Sequence, residues 1–393
     1  MRKKLIYLDC ASTTPLDPSV RKAMLPFLGR EFGNPSSVYS LGQTARAAVE
    51  KAREQVAGFL SCSANEVVFT SGATEANNLA IQGCVKPGFT HSSVPHVITS
   101  AIEHESVLAP IQELEKRGEI KATYISVGKK GILDPVDVEK AVKENTVLVS
   151  IQYANSEIGT IQPIAEIGNR LKSKVKSQKS KVIFHTDAVQ AANYIDCNVG
   201  KLGVDLLTLS SHKVYGPKGA GVLYVRSGVL LQPLLRGGGQ ERGMRPGTEN
   251  AACIVGMGEA IGEIRNPKSE IRNIMIRQLR DKLIKDVLKR VSGAKLTGSL
   301  EHRLANNAHF LFEGIEGKDI VFLLDEKGIA VSTGSACSEL TQEVSHVLLA
   351  MGYTKKEAAG ALRITLGKHA KKEDIEKTVK ALEKAVEQLA PKK

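Results

Sequence analysis

Between residues 66 and 226 the chain alternates two kinds of pattern. Short apolar runs bounded by turn residues occur at 66–70, 96–100, 121–127, 146–152, 181–187, 204–210 and 220–226. Before the first of them, at 40–60, and between several of the others, at 74–84, 105–118 and 134–144, lie longer stretches in which apolar side chains return every three or four positions. The first kind predicts buried strands and the second amphipathic helices. Their alternation predicts an α/β fold with a mostly parallel sheet, here of seven strands, and a ligand crevice where strands end and loops begin.

Beyond the glycine-rich "GGGQERGMRPGTEN" (237–250) the pattern changes. A long helical region at about 251–290 is followed by strand candidates at 307–314 and 328–334, then helices at about 342–350 and 371–390. This predicts a second, smaller α+β domain closed by an amphipathic helix at 372–389. The expected division is a large domain at 16–262 and a small one formed by 1–15 and 263–393.

Composition narrows the function classes. There is no Trp, so the core has to be built mainly from Leu, Ile, Val and Ala. No run approaches 18 uninterrupted apolar residues, and the opening "MRKKLIYLDC" is too short in apolar length for a signal segment, so a cytoplasmic protein without membrane spans is expected. Six scattered cysteines, with neither CxxC nor zinc-ligand spacing, are expected to be free thiols, and no metal site is expected. Of the formal net charge of +12, six basic residues fall in "RLKSKVKSQKSK" (170–181). With no zinc finger and no aromatic platform between the charges, that run reads as a solvated face, and direct nucleic-acid binding is not expected.

Three segments carry candidate chemistry. "FTSGATEANN" (69–78) runs a strand into a turn at a helix start, where free amides and the Thr74 hydroxyl suit either a single phosphate or ordinary capping. "FHTDAVQAA" (184–192) sets Asp187 just past a strand with Gln190 three residues on, either as a helix cap or as an acid facing a heterocyclic nitrogen. "SSHKVYGPKG" (210–219) delivers Ser210, His212 and Lys213 off another strand end, and Lys213 reads either as a solvated charge or as an amine that bonds to an aldehyde. A phosphate site, an acid for a ring nitrogen, a donor for a ring oxygen and a reactive amine are together what pyridoxal 5'-phosphate requires.

The full chain resembles the NifS/IscS-like cysteine desulfurases, fold type I pyridoxal-phosphate enzymes. The resemblance is carried in order by "YLDCASTTPLDP", "GNPSS", "FTSGATEANNLAI", "EHESV", "NSEIGTIQPI", "HTDAVQ", "SSHKVYGPKG", "GGGQERGMRPGTEN", "GSACS" and "SHVLLAMG". It implies that Lys213 holds the cofactor covalently, Asp187 partners its ring nitrogen, and His104 stacks on the ring and assists proton transfer. It further implies a cofactor contact from Ala73, phosphate contacts from Thr74, Ser210 and His212, and a contact from Gln190 to the phenolic oxygen. Thr248 would be lent to a neighbouring subunit in a homodimer with composite sites. Asn155 would lie near substrate and cofactor, with Arg363 on the substrate carboxylate.

Cys337, in a loop at about 332–345, would receive the sulfur of L-cysteine as a persulfide, leaving L-alanine. The sulfur would pass to acceptors such as an iron–sulfur cluster scaffold, a sulfur carrier or a tRNA-thiolation protein. A selenocysteine lyase or an aminotransferase on the same fold is the alternative. Departures from the family pattern fall at Cys10 and Ser12, where paired asparagines are more usual, and at Ser156 and Glu339.

Overall fold

The computed structural model describes residues 5–85, 94–178 (side chains to 174), 182–334 and 344–390. Its strands, in chain order, are β1 (Ile6–Tyr7), β2 (Val67–Thr70), β3 (His96–Ser100), β4 (Lys121–Ile125), β5 (Thr146–Ser150), β6 (Ile183–Asp187), β7 (Leu206–Ser210) and β8 (Gly221–Val225), followed by β9 (Ala294–Leu296), β10 (Asn307–Phe312), β11 (Ile329–Ala330) and β12 (Ala361–Thr365). Strands β2 to β8 form one seven-stranded sheet in the order β2-β8-β7-β6-β5-β3-β4. Only β8 runs against its neighbours; the other pairings are parallel.

Consecutive residues of these strands enter different cores. Val67, Phe69, Val149 and Leu207 pack into one, and Val68, Leu148 and Leu206 into another. The sheet is therefore covered on both faces, which is why its strands appear as continuous apolar runs rather than as alternations. The helices Ser40–Leu60 and Ala251–Ile264 contribute to the first core, and Ala73–Val85 and Glu105–Lys116 to the second.

A second layer holds the antiparallel sheet β12-β10-β9. Its core brings Phe310, Leu362 and Ile364 together with Ile284, Ile320 and Leu382 from three helices, Lys268–Arg290, Gly317–Asp325 and Lys372–Leu389. The N-terminal strand β1 pairs in parallel with β11, and Leu8 joins this core.

The structure differs from the sequence pattern at several places, of which three bear on the domain boundary, the charge or the site. The helical region 251–290 is two helices, because Pro267 removes an amide and disfavours helical backbone at Asn266. The lower part of the basic run belongs to a helix, Ile164–Gln178, which buries Ile164, Ile167 and Leu171 while Arg170 pairs with Glu139 and Glu166. The segment around Arg363, where the pattern predicts no element, is the fully buried strand β12. Among the described residues no helix is long and apolar enough to cross a membrane.

Candidate active site

A cavity of about 530 Å³ is lined by residues from the ends of β2, β6 and β7, the turns after β3 and β5, the N-terminal segment and β12. Ala73, Thr74, His104, Asn155, Asp187, Gln190, Ser210, His212, Lys213 and Arg363 all line it.

The turn after β2 lies against the backbone of β8. A Cβ on Gly221 would come within 2.6 Å of the Gly72 carbonyl carbon, so only glycine lets this turn approach the sheet. Thr70 Oγ1 donates to Gly72 O at 3.0 Å, and the helix starts at Ala73 with Thr74 exposed in its first turn. Free amides and a hydroxyl are thereby presented at a helix N-terminus, an arrangement suited to an anion.

Asp187 ends β6 and is nearly buried. Its Oδ1 accepts from Val189 N at 3.0 Å and its Oδ2 from Asn77 Nδ2 at 2.7 Å. Asn77 Nδ2 also donates to Ser106 Oγ at 2.8 Å, and Ser106 Oγ lies 2.8 Å from His104 Nδ1. His104 is the N-cap of the helix Glu105–Lys116, its Nδ1 accepting from Ser106 N at 3.1 Å. An amide can only donate, so the neutral imidazole carries its proton on Nε2. His104 is open to the cavity yet surrounded by protein, and burial lowers its pKa against the raising effect of Asp187, with Lys213 lowering it further.

Lys213 sits in a single helical turn after β7. Its Nζ donates to Ala11 O and to Ser12 O, each at 2.6 Å, and Gln190 Nε2 donates to the same Ala11 carbonyl at 3.0 Å. The N-terminal segment is held there because Thr14 Oγ1 donates to His212 O at 2.8 Å and accepts from Tyr215 N at 2.8 Å. His212 Nδ1 lies 3.1 Å from Thr13 Oγ1, and burial drives its pKa down to about 4. Cys10 packs behind the segment, where a Cβ on Gly367 would meet its Sγ at 2.5 Å. Burial, then Asp9, pushes that thiol up to about 12. At both departures, Cys10 and Ser12, the chain supplies packing and a backbone carbonyl rather than an amide side chain.

Arg363 points off β12 away from the small core. Its Nη1 donates to Gly334 O at 2.7 Å and Ser156 O at 3.1 Å, and its Nη2 to Asp9 Oδ1 at 2.8 Å, while Nε has no partner among the described residues. Asn155 uses its amide within the wall: Oδ1 accepts from Glu157 N and Ile158 N, and Nδ2 donates to Ile102 O. Thr248 does not line the main cavity. It borders a smaller one of about 140 Å³ together with Arg245, and the two cavities share Ser71 and Gly219. Cys337 lies outside the described residues, as does most of its loop.

Sequence reasoning missed Asn77, Ser106, Glu103 and Glu157. Glu103 is fully buried, accepting from Ser100 Oγ at 2.6 Å and Gln152 N at 2.9 Å, with Oε2 unpartnered among the described residues. Burial, then Asp187, pushes its carboxyl up to about 8 against those hydrogen bonds. Glu157 accepts from Ser345 Oγ at 2.6 Å, tying the wall to the start of the helix His346–Ala350. Only the position of Glu103 beside His104 was a signal.

The donor set suits pyridoxal 5'-phosphate: a buried carboxylate held by two donors, an amine, and a helix start with hydroxyl and amide donors all face one cavity of ligand size.

The model of the family described as Aminotransferase class-V matches residues 6–378. The cysteine desulfurase IscS of Dictyoglomus turgidum is 46% identical over 388 residues, covering 98% of this chain and 96% of the relative. Among solved structures, a NifS-like protein superposes with a TM-score of 0.90 at 36% identity, covering 98% of this chain and 100% of that one. A structure described as SspA in complex with cysteine superposes with a TM-score of 0.79 at 35% identity, covering 92% and 98%.

Proposed function

The chain belongs to the NifS/IscS-like cysteine desulfurases of the class-V aminotransferase family, enzymes that convert L-cysteine to L-alanine with transfer of persulfide sulfur, and we propose that its cleft residues divide that work as follows. Lys213 tethers pyridoxal 5'-phosphate through Nζ and, once released, takes the substrate's α-proton on that atom. Asp187 holds positive charge on the ring nitrogen. Thr74, Ser210, His212 and the amide of Ala73 take the phosphate, and Gln190 the phenolic oxygen. When bound, the cofactor supplies the electron sink that makes the α-hydrogen acidic and opens the β-carbon–sulfur bond to cleavage.

Arg363 offers the substrate carboxylate a planar guanidinium, supported by its place on the cavity wall. Asn155 shapes the wall beside it. His104, neutral and protonated on Nε2, would contact the ring of the bound cofactor and move a proton. The Cys337 thiolate attacks the substrate sulfur: an S–S bond forms, the C–S bond breaks, and the electron pair stays on the substrate carbon, which is protonated to the methyl of L-alanine.

We further infer a cytoplasmic homodimer in which Thr248 completes the neighbour's phosphate site, with the boundary near 262–263 separating the large domain from one that carries the Cys337 loop. Sulfur leaves by transfer to an acceptor protein such as a cluster scaffold or carrier. The observation that carries the reading is the convergence of Lys213, Asp187 and Arg363 on one cavity. Purified enzyme given L-cysteine and reductant should release alanine and sulfide in equal amounts. An oxo acid in place of alanine would indicate an aminotransferase instead.

A further inference from the structure

Strand β2 is an edge of the large sheet, and side chains stand where a further strand would. Val67 O accepts from Arg53 Nη1 at 2.9 Å and from Arg242 Nη2 at 2.7 Å, and Phe69 N donates to Glu241 Oε2 at 2.9 Å. Glu241 in turn receives both Nη atoms of Arg53, each at 2.8 Å, in a bidentate pair that is almost wholly buried. The Arg53 guanidinium also lies 4.8 Å from the centre of the Phe69 ring.

Placing that carboxylate requires unusual backbone. Glu241 and Arg242 both adopt left-handed conformations, with φ of 47° and 57°, which side chains other than glycine accept only when their surroundings impose them. Farther along the same segment, Arg245 Nε donates to Glu75 Oε1 at 2.9 Å, and Glu75 Oε2 accepts from Ser71 N at 2.9 Å. One segment therefore grips the turn 71–74 from both sides, through Phe69 as the chain enters it and through Glu75 as it leaves. Thr248 follows three residues after Arg245 in that segment.

We propose that Glu241 is a positioning residue for the phosphate of the cofactor: paired with Arg53, it clamps β2 so that the amides and hydroxyl at 71–74 stay fixed, and it joins them to the segment that bears Thr248. This rests on the reading that the phosphate sits at that turn. Without two acceptor oxygens and a negative charge at this position, Phe69 N and the two Arg53 Nη donors cannot all be satisfied and the Arg53 guanidinium is buried without its partner charge, so the turn loses its fixed geometry.

The test measures binding of pyridoxal 5'-phosphate and of pyridoxal, which lacks the phosphate, to full-length protein freed of cofactor. Glu241→Gln should weaken pyridoxal 5'-phosphate roughly tenfold, the cost of about one misplaced hydrogen bond, with pyridoxal unchanged. Glu241→Asp keeps a charge for Arg53 while drawing back from Phe69 N. It should shift the ratio of the two affinities in the same direction by less, and it serves where Glu241→Gln does not fold. An unchanged ratio, whether both ligands weaken or neither does, overturns the proposal. A wild-type protein that does not prefer the phosphorylated ligand overturns the phosphate reading and this inference with it.

Discussion

At Glu103 a carboxyl is sealed inside the cavity wall with two hydrogen bonds, both to one of its oxygens, among the described residues. Its pKa in the folded protein is raised to about 8, chiefly by burial. Below the ordinary carboxylate range the group is neutral in both folded and unfolded chains and costs nothing. As pH rises from there through about 8 the unfolded chain ionises first, so folded stability falls across that window and then levels off. Glu103→Gln mimics the protonated acid. In the cofactor-free protein its melting temperature should match wild type near pH 4.5 and exceed it by a widening margin up to about pH 8; equal curves for both proteins would mean that the wild-type carboxyl is not raised.

Two further substitutions separate duties at the same scale. Lys213→Ala should lose the absorbance of covalently held cofactor together with turnover. Cys337→Ser should keep that absorbance and lose persulfide, and labelled sulfur still accumulating on Cys337→Ser would require another acceptor. The place of Lys213 and Asp187 at the cavity was legible because each lies at or just beyond the end of an apolar strand. Asn77 and Ser106 were not: as bare polar residues within helical patterns they carry no mark of the chain of hydrogen bonds linking Asp187 to His104.

Among elements, the turn between β2 and the helix Ala73–Val85 depends on a glycine that belongs to neither. Gly221→Ala sets a methyl 2.6 Å from Gly72 backbone, which cannot swing aside as a side chain would. The expected result is a loss of about 1–3 kcal/mol in unfolding free energy, with weakened cofactor binding. Gly72→Ala meets nothing within 4 Å among the described residues and should leave the cofactor-free protein's stability unchanged, so equal denaturation midpoints for the two variants would refute the packing argument. The strands of the large sheet were readable because burial on both faces selects unbroken apolar runs. In β12 the alternation was present, with Leu362 and Ile364 entering the small core and Arg363 turned toward the cleft, but five residues beside a glycine gave too short a period to assign. The glycine-rich 237–250 segment has no period at all, and its role emerges only from the contacts of Glu241 and Arg245.

For the whole molecule, Thr248 lies off the main cavity of its own chain, and its proposed place is in a partner's site. Mixed dimers test this. With Lys213→Ala and Thr248→Ala on the same chain, the surviving site would receive the altered threonine and be impaired. With the substitutions on opposite chains, that site would receive an intact one and retain about half of wild-type activity. The reverse ranking would mean that Thr248 serves its own chain. The fold, the cleft and the family membership converge on one transfer, from the sulfur of free cysteine to a cysteine of this chain. Its most direct measurement is to mix the holoenzyme with sulfur-labelled L-cysteine, without acceptor or reductant, and to quantify alanine while locating the label by mass spectrometry. The account predicts alanine in step with label on Cys337. Alanine formed with the label elsewhere, or an oxo acid in its place, would contradict it.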